Sequence, residues 1–136
     1  MAGDQANKVQ AVGVDTLAAP GGHYSHACVG AGLVFISGQL PITPNGVRLV
    51  DASFEVQTLQ VLANVEAALL ASGSNIQQLL QLRVYVDDIA NWPLFNTLYA
   101  AWAGAARPAR AVVPTGPLHF GLKLEVEAIA LALPAP

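Results

Sequence analysis

From Leu122 to Leu133 the chain alternates without a break, and a strand of that kind must meet two different surroundings. Leu122, Leu124, Val126, Ala128, Ala130 and Ala132 fall on one face. Lys123, Glu125 and Glu127 begin the other, which turns apolar at Ile129, Leu131 and Leu133. The first face tapers to alanine, so a helix can pack closely on it. The second has the pattern of a polar cleft bordering a buried surface, although a plain solvated strand face would also carry two glutamates. Such a strand points to a sheet with its core on one side.

The upstream sequence supplies the other elements. Residues 8–15 read as a short first strand, ahead of a loop at Ala18-Ala-Pro-Gly-Gly22. The apolar runs Tyr24–Val29 and Leu33–Ser37, joined through Gly30-Ala-Gly32, read as an antiparallel hairpin. Leu40 to Gly46 is turn chemistry, with two prolines and Asn-Gly. From Phe54 to Ala71 the period becomes helical: Leu59, Leu62, Val65 and Leu69 recur at spacings of three and four, with Glu66 off the apolar stripe. Ser53 is the expected N-cap and Gly73 the expected stop.

Leu80, Leu82, Val84 and Val86 then alternate with Gln81, Arg83 and Tyr85 as a strand. A second helix is expected from Pro93 to Trp102, ended by Gly104, before a strand from Ala109 to Val113. The order β-β-β-α-β-α-β-β predicts an α+β fold, with both helices on one face of a mainly antiparallel sheet.

The chain has 136 residues, which reads as a single domain over residues 1–136. Only 11% of its residues are charged while 54% are hydrophobic, against roughly 25% charged in an ordinary soluble domain. So sparse a charged surface suggests that other copies of the chain cover part of it. A net charge of −3 and no tract of Lys and Arg argue against a nucleic-acid partner. No apolar run reaches the roughly 18–20 residues that span a bilayer, so no membrane association is expected. Met1 to Lys8 lacks the regions of a signal peptide, and Cys28 has no second cysteine to pair with. These features lead to the expectation of a cytoplasmic protein.

Few residues can carry chemistry. Arg110, at the head of a strand, could grip a carboxylate through two parallel hydrogen bonds or form an ion pair with Glu125 or Glu127. His23-x-x-His26 lacks a nearby cysteine or carboxylate at ligand spacing, so no metal is expected. His119 lies in a loop that could reach a pocket mouth. Cys28 reads as a small buried hydrophobe.

Six segments in order and spacing resemble the Rid (YjgF-type) imine/enamine deaminases. They are Gly22-His-Tyr24-Ser-His-Ala27, Leu33-Val-Phe-Ile-Ser37-Gly-Gln-Leu-Pro41, Val84-Tyr-Val-Asp-Asp88, Asn96 with Tyr99, Pro108-Ala-Arg110, and Leu124-Glu-Val-Glu-Ala-Ile-Ala130. The resemblance runs from about Ala18 to Leu131. It implies a chorismate-mutase-like fold and a homotrimer with active sites in the clefts between subunits. It also implies that Arg110 holds a substrate carboxylate, that Glu125 activates water, and that Tyr24, Ser37, Gly38 and Asn96 line the pocket. Val112 stands where the family often has cysteine, and Leu118-His-Phe-Gly121 replaces its usual Leu-Pro-x-Gly or Leu-Pro-x-Asp turn.

The activity implied is hydrolysis of reactive 2-imino or enamine acids to 2-oxo acids and ammonia, with no cofactor. A small-molecule imino or oxo acid is then the partner. The alternative is a non-catalytic regulatory protein that binds small carboxylates; it would keep Arg110 but have no need of Glu125. A ribonuclease role, also attached to the family, fits poorly with the acidic composition.

Overall fold

The computed structural model describes residues 8–134. Among these residues six strands form one sheet: β1 (Gln10–Val12), β2 (Ala27–Gly30), β3 (Leu33–Gln39), β4 (Leu79–Val86), β5 (Ala109–Pro114) and β6 (Leu124–Leu131). Two helices, α1 (Phe54–Ala71) and α2 (Trp92–Ala103), pack against each other, and α1 lies on β3 and β6. The sheet order is β1-β2-β3-β6-β4-β5, antiparallel except between β4 and β5. That parallel pair needs a crossover, which α2 supplies. The predicted α+β order and the helix-backed sheet are both present.

The core follows from the alternation. Val34, Ile36, Leu82, Val84, Leu124, Val126, Ala128 and Ala130 are buried on one face of the sheet, beneath Leu62, Val65, Leu69 and Phe95 of the helices. The β6 alanines Ala128 and Ala130 are buried in the same cluster as the inward side chains of α1. Full burial of a leucine such as Leu62 is worth about 1.5–3 kcal/mol. Ser53 caps α1 by accepting the Val56 N–H at 3.2 Å, and the helix ends at Ser72 beside Gly73, as its sequence predicts.

Several expectations need correction. Leu59 is exposed: it lies at the margin of the α1 stripe, and the positions turned inward include Gln57, Thr58 and Asn64 instead. Leu80 is exposed and Leu79 buried, because the pairing of β4 with β6 slips between Leu79 and Gln81. One extra residue there moves Leu80 off the alternation. The first strand is shorter than expected, and Tyr24 to His26 precede β2 as irregular chain rather than beginning it. The terminal strand spans Leu124–Leu131, since Leu118 to Lys123 form a loop with a short 3-10 turn at His119–Gly121.

A second irregularity shapes the functional side. Between Ile36 and Gln39 the register of β3 against β6 shifts, so Ser37 and Gly38 together face Glu127. This bulge lets β3 continue to Gln39 and turns the Gln39 side chain inward, where only 3% of it is exposed.

Candidate active site

The bulge opens a cleft of about 670 Å³ on the side of the sheet away from the helices. Its floor is the charged half of β6, Glu125 and Glu127; one wall is the loop from Leu17 to Tyr24, and another is the His119–Phe120 turn. Tyr24, Ser37, Gly38 and Glu125, four of the residues implied by the resemblance, all line it.

Glu125 depends directly on Gly38. A Cβ at that position would lie 2.5 Å from Oε2 of Glu125, 3.0 Å from its Cδ and 3.3 Å from its Cγ. Only glycine leaves room for the carboxylate to rest against the backbone of the bulge. The same packing removes water from it, and burial raises the Glu125 pKa above the ordinary carboxylate value. His119 opposes that rise and the neighbouring Glu127 adds to it, both more weakly. A carboxylate of raised basicity, set in a cleft, is suited to accept a proton from water.

Glu127 is occupied differently. It accepts a hydrogen bond from Tyr85 Oη at 2.5 Å and lies 3.6 Å from Arg83. That contact raises the Tyr85 pKa. The Arg83 pair is too exposed to matter greatly for stability, but it leaves Glu125 as the carboxylate without a salt-bridge partner among the described residues of the cleft.

A part-buried network holds the cleft wall. His26 Nε2 donates to the Ala18 carbonyl at 2.7 Å, and its Nδ1 accepts from Gln39 Nε2 at 3.1 Å. With both ring nitrogens engaged inside the chain, His26 ties the 18–22 loop to β3. Ser37 Oγ donates to the Ser25 carbonyl at 2.6 Å, so the hydroxyl faces the cleft as an acceptor.

Arg110 and Asn96 lie elsewhere. Arg110 pairs in register with Leu82, a core residue, and its guanidinium lies 4.9 Å from the Tyr99 ring centroid and 5.8 Å from that of Phe95. Glu125 pairs with Tyr85, which points to the opposite face. Paired residues share a face, and positions an odd number apart along a strand, such as Leu82 and Tyr85, do not, so Arg110 and Glu125 belong to opposite sides of one sheet. Neither Glu125 nor Glu127 forms an ion pair with Arg110; Glu127 meets Arg83 instead. Asn96 is half-buried on α2, one turn before Tyr99 and outside the cleft.

Sequence reasoning missed Arg48, which lines the cleft and lies 3.5 Å from the Phe120 ring centroid. The turn chemistry between Leu40 and Gly46 was a usable signal, because a tight reversal there brings the next residues back beside Ile42. Asn64 and Gln39 were missed as well. Both sit inside regular elements, and their partners are distant in sequence.

The family model described as Endoribonuclease L-PSP matches residues 15–132. Protein HMF1 of Saccharomyces cerevisiae is 36% identical over 107 residues, covering 79% of this chain and 82% of the yeast protein. The chloroplastic Reactive Intermediate Deaminase A of Arabidopsis thaliana is 35% identical over 127 residues, 92% of this chain and 68% of the plant protein. The crystal structure of yeast YEO7 superposes with a TM-score of 0.89 at 32% identity, covering 93% of this chain and all of that one (100%). By sequence and by fold, this chain belongs to the L-PSP family of the YjgF/Rid superfamily.

Proposed function

We propose that this protein hydrolyses reactive 2-imino acids, and the enamines in equilibrium with them, to 2-oxo acids and ammonia. The observation that carries this reading is Glu125, a desolvated carboxylate of raised pKa seated on the Gly38 bulge and facing an open cleft. The Arabidopsis relative named as a reactive intermediate deaminase supports it.

In this mechanism the iminium carbon is already electrophilic, so positioning and general-base help suffice. Glu125 orients a water and takes its proton as oxygen bonds to carbon. Glu125 returns that proton to the carbinolamine nitrogen; the C–N bond then breaks as the hydroxyl gives up its proton to the carboxylate and the C=O bond forms, releasing ammonia and the 2-oxo acid. The substrate carboxylate is gripped by Arg110, whose planar guanidinium is held against the Tyr99 and Phe95 rings. Because Arg110 and Glu125 occupy opposite faces of one sheet, the complete site takes Arg110 from one copy and Glu125 from another. The apolar groups exposed on the cleft side of the sheet, Phe35 and Leu131 among them, then become the contact between copies of a homotrimer. The reaction needs no cofactor.

The test couples an imine-generating amino-acid oxidase to detection of the 2-oxo acid, with and without the protein. Faster release of 2-oxo acid that is abolished in Glu125→Gln is expected. No acceleration with any imino acid tried refutes the reading.

A further inference from the structure

Arg48 is one of only six Lys and Arg residues in the chain, and it lines the cleft that holds Glu125. It makes no salt bridge among the described residues. Its guanidinium instead lies over the face of Phe120, 3.5 Å from the ring centroid, an arrangement that steers a cation without neutralising it. Phe120 is itself held in the left-handed region, at φ 61°. For a bulky side chain that conformation is uncommon and persists where the surroundings impose it.

The backbone beneath Arg48 is equally fixed. Ile42 and Arg48 form a β-bridge closing a tight loop, and Leu49 N–H donates to the Pro41 carbonyl at 3.1 Å. The base of that loop is fastened to α1 by Asn64, 3% exposed, whose Nδ2 donates to the carbonyls of Leu40 at 3.0 Å and Ile42 at 2.9 Å. Gln60 Nε2 in turn donates to Asn64 Oδ1 at 2.8 Å. The exposed loop that carries the cation is therefore tied at its base to a buried amide, Asn64.

We infer that Arg48 is the recognition site for a second carboxylate, so that the cleft selects 2-imino acids with an acidic side chain and their 2-oxo dicarboxylate products. This rests on the deaminase reading for its first carboxylate, the one assigned to Arg110. An arginine fork suits a carboxylate geometrically. A large apolar or aromatic side chain would have to displace the cation from Phe120 to use the ring.

The test compares 2-oxoglutarate with 2-oxopentanoate, which has the same chain length and no second carboxylate. Affinities are measured by calorimetry on the wild type, Arg48→Gln and Phe120→Leu. The dicarboxylate should bind the wild type at least about tenfold more tightly, the usual worth of a hydrogen bond to a charged group. Arg48→Gln should remove that gap, and Phe120→Leu should narrow it by freeing the guanidinium. Equal affinities in the wild type, or a gap that survives Arg48→Gln, overturn the inference. Imines made by oxidases from glutamate and norvaline then test turnover separately. A binding gap without any turnover leaves the subsite standing and removes the deaminase reading; turnover without a gap does the reverse.

Discussion

Replacing Gly38 by alanine tests whether the position of the Glu125 carboxylate, rather than its mere presence, drives turnover. The added Cβ would lie 2.5 Å from Oε2, and ordinary contact begins near 3.4 Å, so the oxygen has to retreat by about 0.9 Å. A general base must reach its proton within hydrogen-bond distance, and a shift of about 1 Å can cost about 10²-fold in rate. The backbone should accept the change, because Gly38 is not in the left-handed region. Alanine also narrows the unfolded ensemble, which favours folding by about 0.4–1 kcal/mol and offsets part of the crowding. The expected variant is folded, melts close to the wild type, and has kcat reduced by about 10²-fold with affinity for an unreactive 2-oxo acid largely retained. Kinetics come from the oxidase-coupled assay and stability from thermal unfolding. In a Glu125→Gln background, Gly38→Ala should remove little further activity, since the two act through one carboxylate. Wild-type kcat in Gly38→Ala, or fully additive losses in the double variant, would refute this account.

Glu125→Gln should lower kcat by roughly 10²–10⁴ while leaving the fold intact, as circular dichroism and the coupled assay would show. Because burial raises the Glu125 pKa in the folded state, stability is lost as pH rises through that raised value, and the ionised carboxylate weakens the native state at neutral pH. The glutamine variant should therefore melt at or above the wild type at pH 7–8, and this advantage should vanish below the ordinary carboxylate range. By the same shift, the acid limb of kcat/KM in the wild type should fall above the pH expected for an unperturbed glutamate, and a limb at the ordinary value would count against the assignment. Arg110→Lys should raise KM by about tenfold or more, because the ammonium loses the bidentate grip; an unchanged KM for 2-iminobutyrate would exclude the carboxylate clamp. Mixing inactive Glu125→Gln and Arg110→Ala chains after joint refolding should restore roughly a quarter of the wild-type activity, because each mixed trimer then holds one intact site. No recovery would mean that both residues serve from the same chain.

How far the sequence could be read depended on how local each determinant is. The α1 boundaries, its serine cap and the faces of β6 follow from neighbours within a few residues, and periodicity alone places them. Leu80 was misplaced because a bulge is decided by the partner strand, and nothing in Leu79-Leu80-Gln81 announces it. The buried amides of α1 were hidden for a related reason. Gln57 accepts from the Lys123 N–H at 2.9 Å, and Asn64 donates to the carbonyls of residues 40 and 42. Their solvent-excluded surroundings exist only once distant segments have docked. In the candidate site, the resemblance supplied Tyr24, Ser37, Gly38 and Glu125. Arg48 and Phe120 stand in loops whose approach to each other is a tertiary event. Alternation in β5 and β6 did contain the separation of Arg110 from Glu125, but strand register was needed to extract it.

The sheet order also bears on how such a chain stays in solution. Few side chains are charged, and among the described residues β1 and β5 are the edges of the sheet, the places where strands of other molecules could add. Both edges are poor templates. β1 offers only three residues, and β5 closes at Pro114, whose nitrogen has no hydrogen to donate. Whatever limits strand addition to this sheet therefore sits at its two edges rather than in the charge of its surface. Lengthening β1 or replacing Pro114 should raise the tendency of the sheet to pair with other molecules.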